Sequence, residues 1–555
     1  MLYAILIVHF LNSVIGINRH TDLSRRHLTE IPQNIPVDTE ILDLSYNEIQ
    51  IIPNNIFSNL SEVLTLDLSF NKINTILVGS FKGLSRIESL SLQTNNLTCK
   101  SLQVGSFQKI TSLKRLDISH NAHESDKNNI VFSDELYQLR LLSTLYVDGI
   151  NTNQNQLNKF KCFKNLKNLT FYSSKGMNVT SKTFEGLEDL PIEELSISSV
   201  EVVQNNSLSF FRSLQKLTLI SSFTVEKVFP AFEAFKGRKM TAITLFGNTE
   251  HDYYFILGKH LRFLEDICLT ELHLCSSNII DIDPSNFKAF AKKSTCLEVF
   301  DMSDNPLTAS MHPYWYMYLN CFTNLKVIQF SHIGLCSKEH NALRYVNISN
   351  LAYNIFLPST LQEVSVHYGS SRDGLPFINF INGQSLKYLS LFQIKMSDCL
   401  GGFRGIENLT ELNISGFNCT YLNPDILQFL PLLEKFTARN SNLNHGFNLN
   451  NKSGARLFVH LSYLNYVDLS ANNLKSLHSD IFKNQQKTLR HLNLSNNAFK
   501  NIPISPNKIK NLEVLDLSSN RIEYFNNDDQ TLMENDNIDI RLSRNLIACT
   551  CNQRK

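Results

Sequence analysis

"LDLSYNEIQIIPNNIFSNL", Leu42 to Leu60, comes back as "LDLSFNKINTILVGSFKGL" from Leu66. The same frame returns far along the chain as "VDLSANNLKSLHSDIF" from Val467 and "LDLSSNRIEYF" from Leu515. The shared pattern is L-x-x-L-x-L-x-x-N-x-L. In L-x-L the alternation puts both apolar side chains on one face of a short strand, pointing inward. After that strand the chain must turn away, which leaves backbone groups buried without ladder partners. A buried asparagine supplies two donor hydrogens and an acceptor, so it satisfies those groups between neighbouring turns. Phenylalanines about ten residues later (Phe57, Phe81, Phe287, Phe482) supply a second buried column on the opposite side.

Aligned on the asparagine column, the repeats run Asn47, Asn71, Asn95, Asn121, Ile150, Ser174, Val200, Ser222, Asn248 and Ser277. They continue through Asn305, Ile333, Gly369, Ile394, Phe417, Ser441, Asn472, Asn497, Asn520 and Asn545. That makes about 20 coils, with steps mostly of 22 to 31 residues. A period in this range marks a leucine-rich repeat solenoid, in which each coil contacts only its neighbours and stacking buries the core. The expected fold is an α/β-type leucine-rich repeat horseshoe. Its concave side is a parallel sheet, and irregular loops and short helices lie on the convex side. The longest step, Ile333 to Gly369, has room for a degenerate coil around "ALRYVNISN".

The chain has 555 residues, a net charge of +1 and 43% hydrophobic residues. The charge favours no nucleic-acid partner. Leu2 to Leu11 is apolar apart from one histidine, and a small-residue cleavage site follows near Gly16. Although the usual cationic start is missing, residues 1–16 read as a secretory signal peptide. Residues 17–38 read as an N-terminal cap, 39–545 as repeats, and 546–555 as the start of a cysteine-rich cap. Eleven N-x-S/T sequons fit passage through the secretory pathway: Asn59, Asn96, Asn168, Asn178, Asn205, Asn347, Asn408, Asn413, Asn418, Asn451 and Asn493. The odd count of 11 cysteines leaves at least one thiol without a partner in the chain. Cys268 and Cys296 each precede the first strand leucine of their coil, which brings them within disulfide reach. Cys321 and Cys336 lie near enough to compete.

Signal peptide, "LTEIPQNIP" before the first coil, coil number, sequons and the closing N-x-x-x-C-x-C resemble a Toll-like receptor ectodomain. Proteoglycans and adhesion proteins share the repeat, but coil number and an irregular middle favour the Toll-like resemblance. Between Ile150 and Ser441 only Asn248 and Asn305 keep the amide, so the central coils are expected to twist away from the regular geometry. This three-part pattern resembles the subgroup that recognises lipids and lipopeptides. The resemblance implies a microbial, lipid-like ligand, a homo- or heterodimer with a related receptor, and cell-surface or extracellular placement. It implies membrane contact and signalling only through a transmembrane helix and a TIR domain that these residues do not include. In the family, cysteines placed like Cys549 and Cys551 bond to two cysteines further along, so this ending reads as a cut edge. A secreted decoy or co-receptor, and a leucine-rich adhesion or matrix-binding protein, stand as alternatives.

The exposed strand positions fall four and two residues before the asparagine column. In the end coils they are small polar pairs: Asp43/Ser45, Asp67/Ser69, Asp117/Ser119, Asp468/Ser470 and Asp516/Ser518. In the middle they include Tyr146, Tyr172, Phe246, His273 and Phe392. Exposed aromatic side chains carry most recognition energy, so concave-face binding is expected in the middle. Asn413 and Asn493 occupy the same offset, and glycans there would obstruct the later coils. A convex candidate is "SMHPYWYMYLNCF", where Tyr314, Trp315, Tyr316, Met317 and Tyr318 either fill a core or form a ligand entrance or dimer contact. His273 and His367 leave acid-triggered binding open. The sequence carries no catalytic signature, phosphate-cradling loop, metal-ligand cluster or cofactor motif.

Overall fold

A computed structural model of the chain describes residues 19–547 with gaps. The gaps are 99–100, 102–104, 122–135, 137, 149–157, 174–175, 222–227, 248–253, 257–259, 278, 283–295, 304, 306–321, 331–352, 371–376, 396–398, 400, 418–422, 424, 444–453, 505–508 and 526–537. Two compact units divide the chain, Met1–Glu250 and His251–Lys555.

In the first unit His20–Asp22 pairs in parallel with Ile41–Asp43, and the ladder proceeds through Thr65–Asp67, Ser89–Ser91 and Arg115–Asp117. It goes on through Thr144–Asp148, Asn168–Tyr172, Glu194–Val203, Lys216–Ser221 and Lys239–Gly247. Register places like on like: Leu42, Leu66, Leu90, Leu116, Leu145, Leu169, Leu195, Leu217 and Ile243 form one column. All of them are buried. The second unit repeats the arrangement, from Leu272 over Phe300 and Ile328 to Val467, Leu492, Leu515 and Ile540. Each inward leucine contributes on the order of 2 kcal/mol by leaving water, but only because the next coil covers it.

The opposite side of each coil is filled by aromatic rings. Phe57, Phe81 and Phe107 follow one another at 6.4 and 5.4 Å, and Phe184 lies 5.0 Å from Phe211 and 6.1 Å from Phe171, an inward-facing strand residue. Phe482 belongs to this layer too, stacked on Phe458 at 5.6 Å, whereas Phe287 lies outside the described residues. Instead of regular α-helices, the connections here include 3-10 turns such as Asn158–Cys162 and Phe229–Phe235. Small second ladders also occur, such as Tyr353–Phe356 with Ile378–Ile381.

Asparagine fixes where the strand ends. The Asn71 side chain donates to the carbonyls of Leu44 and Leu68 (3.0 and 3.1 Å) and accepts from the N–H of Ile49 (3.1 Å). Asn47, Asn95, Asn121, Asn305, Asn472, Asn497, Asn520 and Asn545 donate to carbonyls of their own and the preceding coil in the same way. The residue just before the amide takes positive φ, 55° at Tyr46 and 54° at Phe70. With the amide, strands last three residues, as in Ile41–Asp43 and Val514–Asp516. In several central coils they run on, ten residues in Glu194–Val203 and eight each in Glu363–Ser370 and Tyr388–Lys395, although Glu411–Asn413 and Lys435–Thr437 stop after three without an amide and Lys239–Gly247 runs for nine ahead of Asn248. Backbone groups that no longer meet an amide find partners in the neighbouring strand instead. Asn248 lies outside the described residues.

Candidate ligand-binding surface

Strand length decides what the open face of the ladder displays. Where the chain turns early, the residue two before the amide is drawn into the turn. Ser45, Ser69 and Ser119 are buried, contrary to the expectation of a solvated pair. The reason is local: Asp43, Asp67 and Asp117 each accept the N–H of the serine two residues on, at 2.8, 2.8 and 3.0 Å, and so cap the turn. Where the strand continues, the same offset stands up from the sheet.

In the first unit this brings three of the expected residues onto one face, Tyr146 and Tyr172 on adjacent strands and Phe246 three strands further on. One row, in register, is Asp117, Tyr146, Thr170, Ser196, Thr218 and Thr244. Two residues further along each strand lies a second row, which holds Asp148 beside Tyr172 and Ile220 beside Phe246. Tyr146 and Tyr172 are half-buried, while Ile220 and Phe246 keep 38% and 37% of their surface exposed. Residues not singled out by the sequence complete the surface. The Arg115 guanidinium lies 4.5 Å over the Tyr146 ring, and the His120 ring lies 4.5 Å from that of Tyr172. Reading the fixed offset before Ile150, Ser174, Val200, Ser222 and Asn248 would have found the hydroxyl row and Ile220. His120 carried no such signal.

Burial pushes the Tyr172 phenol up, and the Asp117 charge adds to it. Burial also raises the Asp117 carboxyl, although hydrogen bonds from Ser119 pull the other way. Asp148 serves a different purpose. Its carboxylate accepts the N–H groups of His120 (2.5 Å) and Asn121 (2.8 Å), substituting for the amide that Ile150 lacks. Ser441 does likewise with a hydroxyl, donating to Ile414 O at 3.0 Å.

The other candidates sit apart from this group. Phe392 is half-buried in the second unit, on the strand position in register with His367, whose side chain lies outside the described residues. Tyr314, Trp315, Tyr316, Met317 and Tyr318, like Cys549 and Cys551, lie outside the described residues. Cys268 and Cys296 form a disulfide with a Cα–Cα distance of 5.1 Å. On the same strand His273 faces two carboxylates, Asp301 at 3.2 Å through Nδ1 and Glu271 at 3.3 Å through Nε2. The Asp301 hydrogen bond raises the imidazole pKa, burial opposes it, and Glu271 raises it further. Among the sequons, Asn59, Asn96, Asn178 and Asn205 are exposed, and Asn168, Asn408, Asn413 and Asn493 are half-buried. Asn347, Asn418 and Asn451 lie outside the described residues. The Asn493 amide already donates to Asp468 at 3.0 Å. Among the described residues no group of three or more His, Cys, Asp or Glu is placed to hold a metal ion, and no helix is long and apolar enough to cross a membrane.

Known proteins match this arrangement. A leucine rich repeat family model matches residues 38–97 and 462–522. Receptor-like protein 7 of Arabidopsis thaliana is 31% identical over 181 residues, which cover 32% of this chain and 17% of that protein. Toll-like receptor 4 of Bos taurus is 25% identical over 540 residues, covering 90% of this chain and 55% of the receptor. The chain thus spans about half or less of the length of the curated relatives it matches. A chain of the crystal structure of the mouse RP105/MD-1 complex shares the fold, with a TM-score of 0.55 at 17% identity over 97% of this chain and 92% of that one. This chain is a leucine-rich repeat array similar to a Toll-like receptor ectodomain.

Proposed function

We propose that this chain is the ligand-recognising ectodomain of a pattern-recognition receptor, and that it binds a microbial molecule on the open face of its ladder. The observation that carries the reading is one open face that displays Tyr146 and Tyr172 on adjacent strands and, beyond one intervening strand, Ile220 beside Phe246. Exposed aromatic side chains on a rigid sheet lose little entropy on binding and supply large contact area. Ligand-driven pairing with a related receptor, cell-surface placement and signalling through further parts of a longer protein complete the proposal. Similarity to Toll-like receptor 4 along most of the chain supports it. The structural neighbour was solved as a complex with MD-1, which supports partner binding by this fold.

The test uses the chain as secreted, immobilised and exposed in turn to lipopolysaccharide, a diacylated lipopeptide, single-stranded RNA and glucan particles. At least one should bind, and Tyr172→Ala with Phe246→Ala should weaken it by about tenfold or more. Equal binding by the double variant, or no binding to any of the four, would overturn the reading. Light scattering with the bound ligand reads pairing in the same preparation.

A further inference from the structure

We infer that the occupant of this face is an uncharged carbohydrate chain, laid across the strands between Asn168–Tyr172 and Lys239–Gly247. The inference rests on the receptor reading above and names its ligand class. Four hydroxyls stand in register there, on Thr170, Ser196, Thr218 and Thr244. All four side chains are half-buried, and none makes a hydrogen bond within the protein among the described residues. At the regular end the same row holds Asp43, Asp67 and Asp117, each occupied by its own serine N–H group, with a single hydroxyl, Ser91, between them.

Strand spacing sets the four hydroxyls ~4.8 Å apart, a run of roughly 14 Å, and the second row lies ~6.6 Å further along the strands. That second row is apolar at Tyr172, Ile220 and Phe246. The surface is thus a continuous row of four hydroxyls flanked by apolar side chains on three of the four strands, the apolar row being interrupted on Glu194–Val203, where the register shifts at Ser198. A sugar chain has the matching division. Its hydroxyls donate and accept as Ser and Thr do, and the C–H faces of its rings lie well on aromatic side chains.

Other occupants meet physical objections. A nucleic acid or anionic polymer needs cations along its backbone, and the two rows hold none over these strands. The nearest, Lys216, is paired with Glu194 at 2.7 Å. An acyl chain would cover four hydroxyls and leave them unpaired, at a cost for each. An added peptide strand requires an open sheet edge, but strands here are paired on both sides.

The experiment titrates the secreted chain with laminarihexaose, cellohexaose and maltohexaose by calorimetry, with circular dichroism to verify folding of each variant. One hexasaccharide should bind, with affinity changing less than about twofold between low and high salt, because no ion pairs form. Thr218→Val with Thr244→Val should weaken it by roughly tenfold, and Thr218→Ser with Thr244→Ser should restore it. Phe246→Ala should weaken it by a similar factor. No binding of any of the three sugars, indifference to the valine pair, or a steep salt dependence would overturn the inference. Aromatic-dependent binding of the lipopeptide or lipopolysaccharide without sugar binding would sink the carbohydrate and leave the receptor reading standing.

Discussion

The end coils and the middle coils solve one problem in two ways. At the ends, Asn47, Asn71, Asn95 and Asn121 gather the backbone groups of the turn, and strands stop after three residues. In the middle, strands run for up to ten residues, and Asp148 and Ser441 make different repairs, one accepting two N–H groups and the other donating to a carbonyl. The regular solution yields a repeating, polar face with its serines tucked away. The irregular one lifts side chains of varied chemistry from the sheet. Longer strands are therefore what make a distinctive surface available, and in Lys239–Gly247, ahead of Asn248, that length comes with the asparagine position kept.

Since both regions share the buried phenylalanine layer, damage to it should be equal. Phe81→Ala at the regular end and Phe184→Ala in the middle should each cost about 3–5 kcal/mol in denaturant unfolding. Both rings are fully buried between two others. A difference of more than half that range would mean that the middle is packed loosely and the comparison is misdrawn. Replacing Cys268 and Cys296 by serine together tests a bond confined to one region. The 28-residue separation predicts a loss of about 2–4 kcal/mol, with little effect on the first unit's unfolding.

Next in size comes the turn itself. Asn71→Ala leaves the Leu44 and Leu68 carbonyls and the Ile49 N–H without their partner, and should cost about 2–4 kcal/mol. Asp148→Ala strands two N–H groups and should cost about 1–3 kcal/mol. A silent Asp148→Ala would show that the middle tolerates open turns without repair, and hydrogen exchange at His120 and Asn121 would report it directly.

Much of this was legible in the sequence, and the reason is periodicity. Leu42 and Leu66 identify each other because a solenoid repeats its environment, so one coil read correctly gives the register of the rest. That register led to Tyr146, Tyr172 and Phe246 and to the Cys268–Cys296 pair. What escaped was whatever broke the period. Asp148 substitutes for an amide two positions away, which no column alignment records. Ser45 and Ser119 looked solvated because the alternation of a strand was extended past the point where the strand ends. His120 meets Tyr172 from a turn two coils away, a contact set by side-chain reach rather than by spacing.

The smallest effect singles out the middle by its pH dependence. A protonated His273 donates to Asp301 and Glu271 at once, whereas the neutral ring must turn a lone pair toward one of them. Its folded pKa is therefore raised, and the stability it adds is fully present below the unfolded value of about 6.5. That stability is lost as pH rises through the folded value. Asp301 works in the opposite sense. Burial tends to raise its pKa, but bonds from His273 and Ser303 win and hold it below the usual carboxylate range. Its contribution is lost as pH falls through that lowered value. The stability gap between wild type and His273→Gln should thus form a plateau in mild acid and shrink on both sides, toward strong acid and above neutrality. The Cys275 thiol also donates to Asp301, at 3.6 Å. A much smaller effect is expected in the first four coils, where His120 touches a ring and the His27–Glu48 pair, at 3.4 Å, is exposed to solvent. Unfolding midpoints measured across pH decide it, and a gap that stays flat from acid to alkali would remove the histidine from the account of the middle.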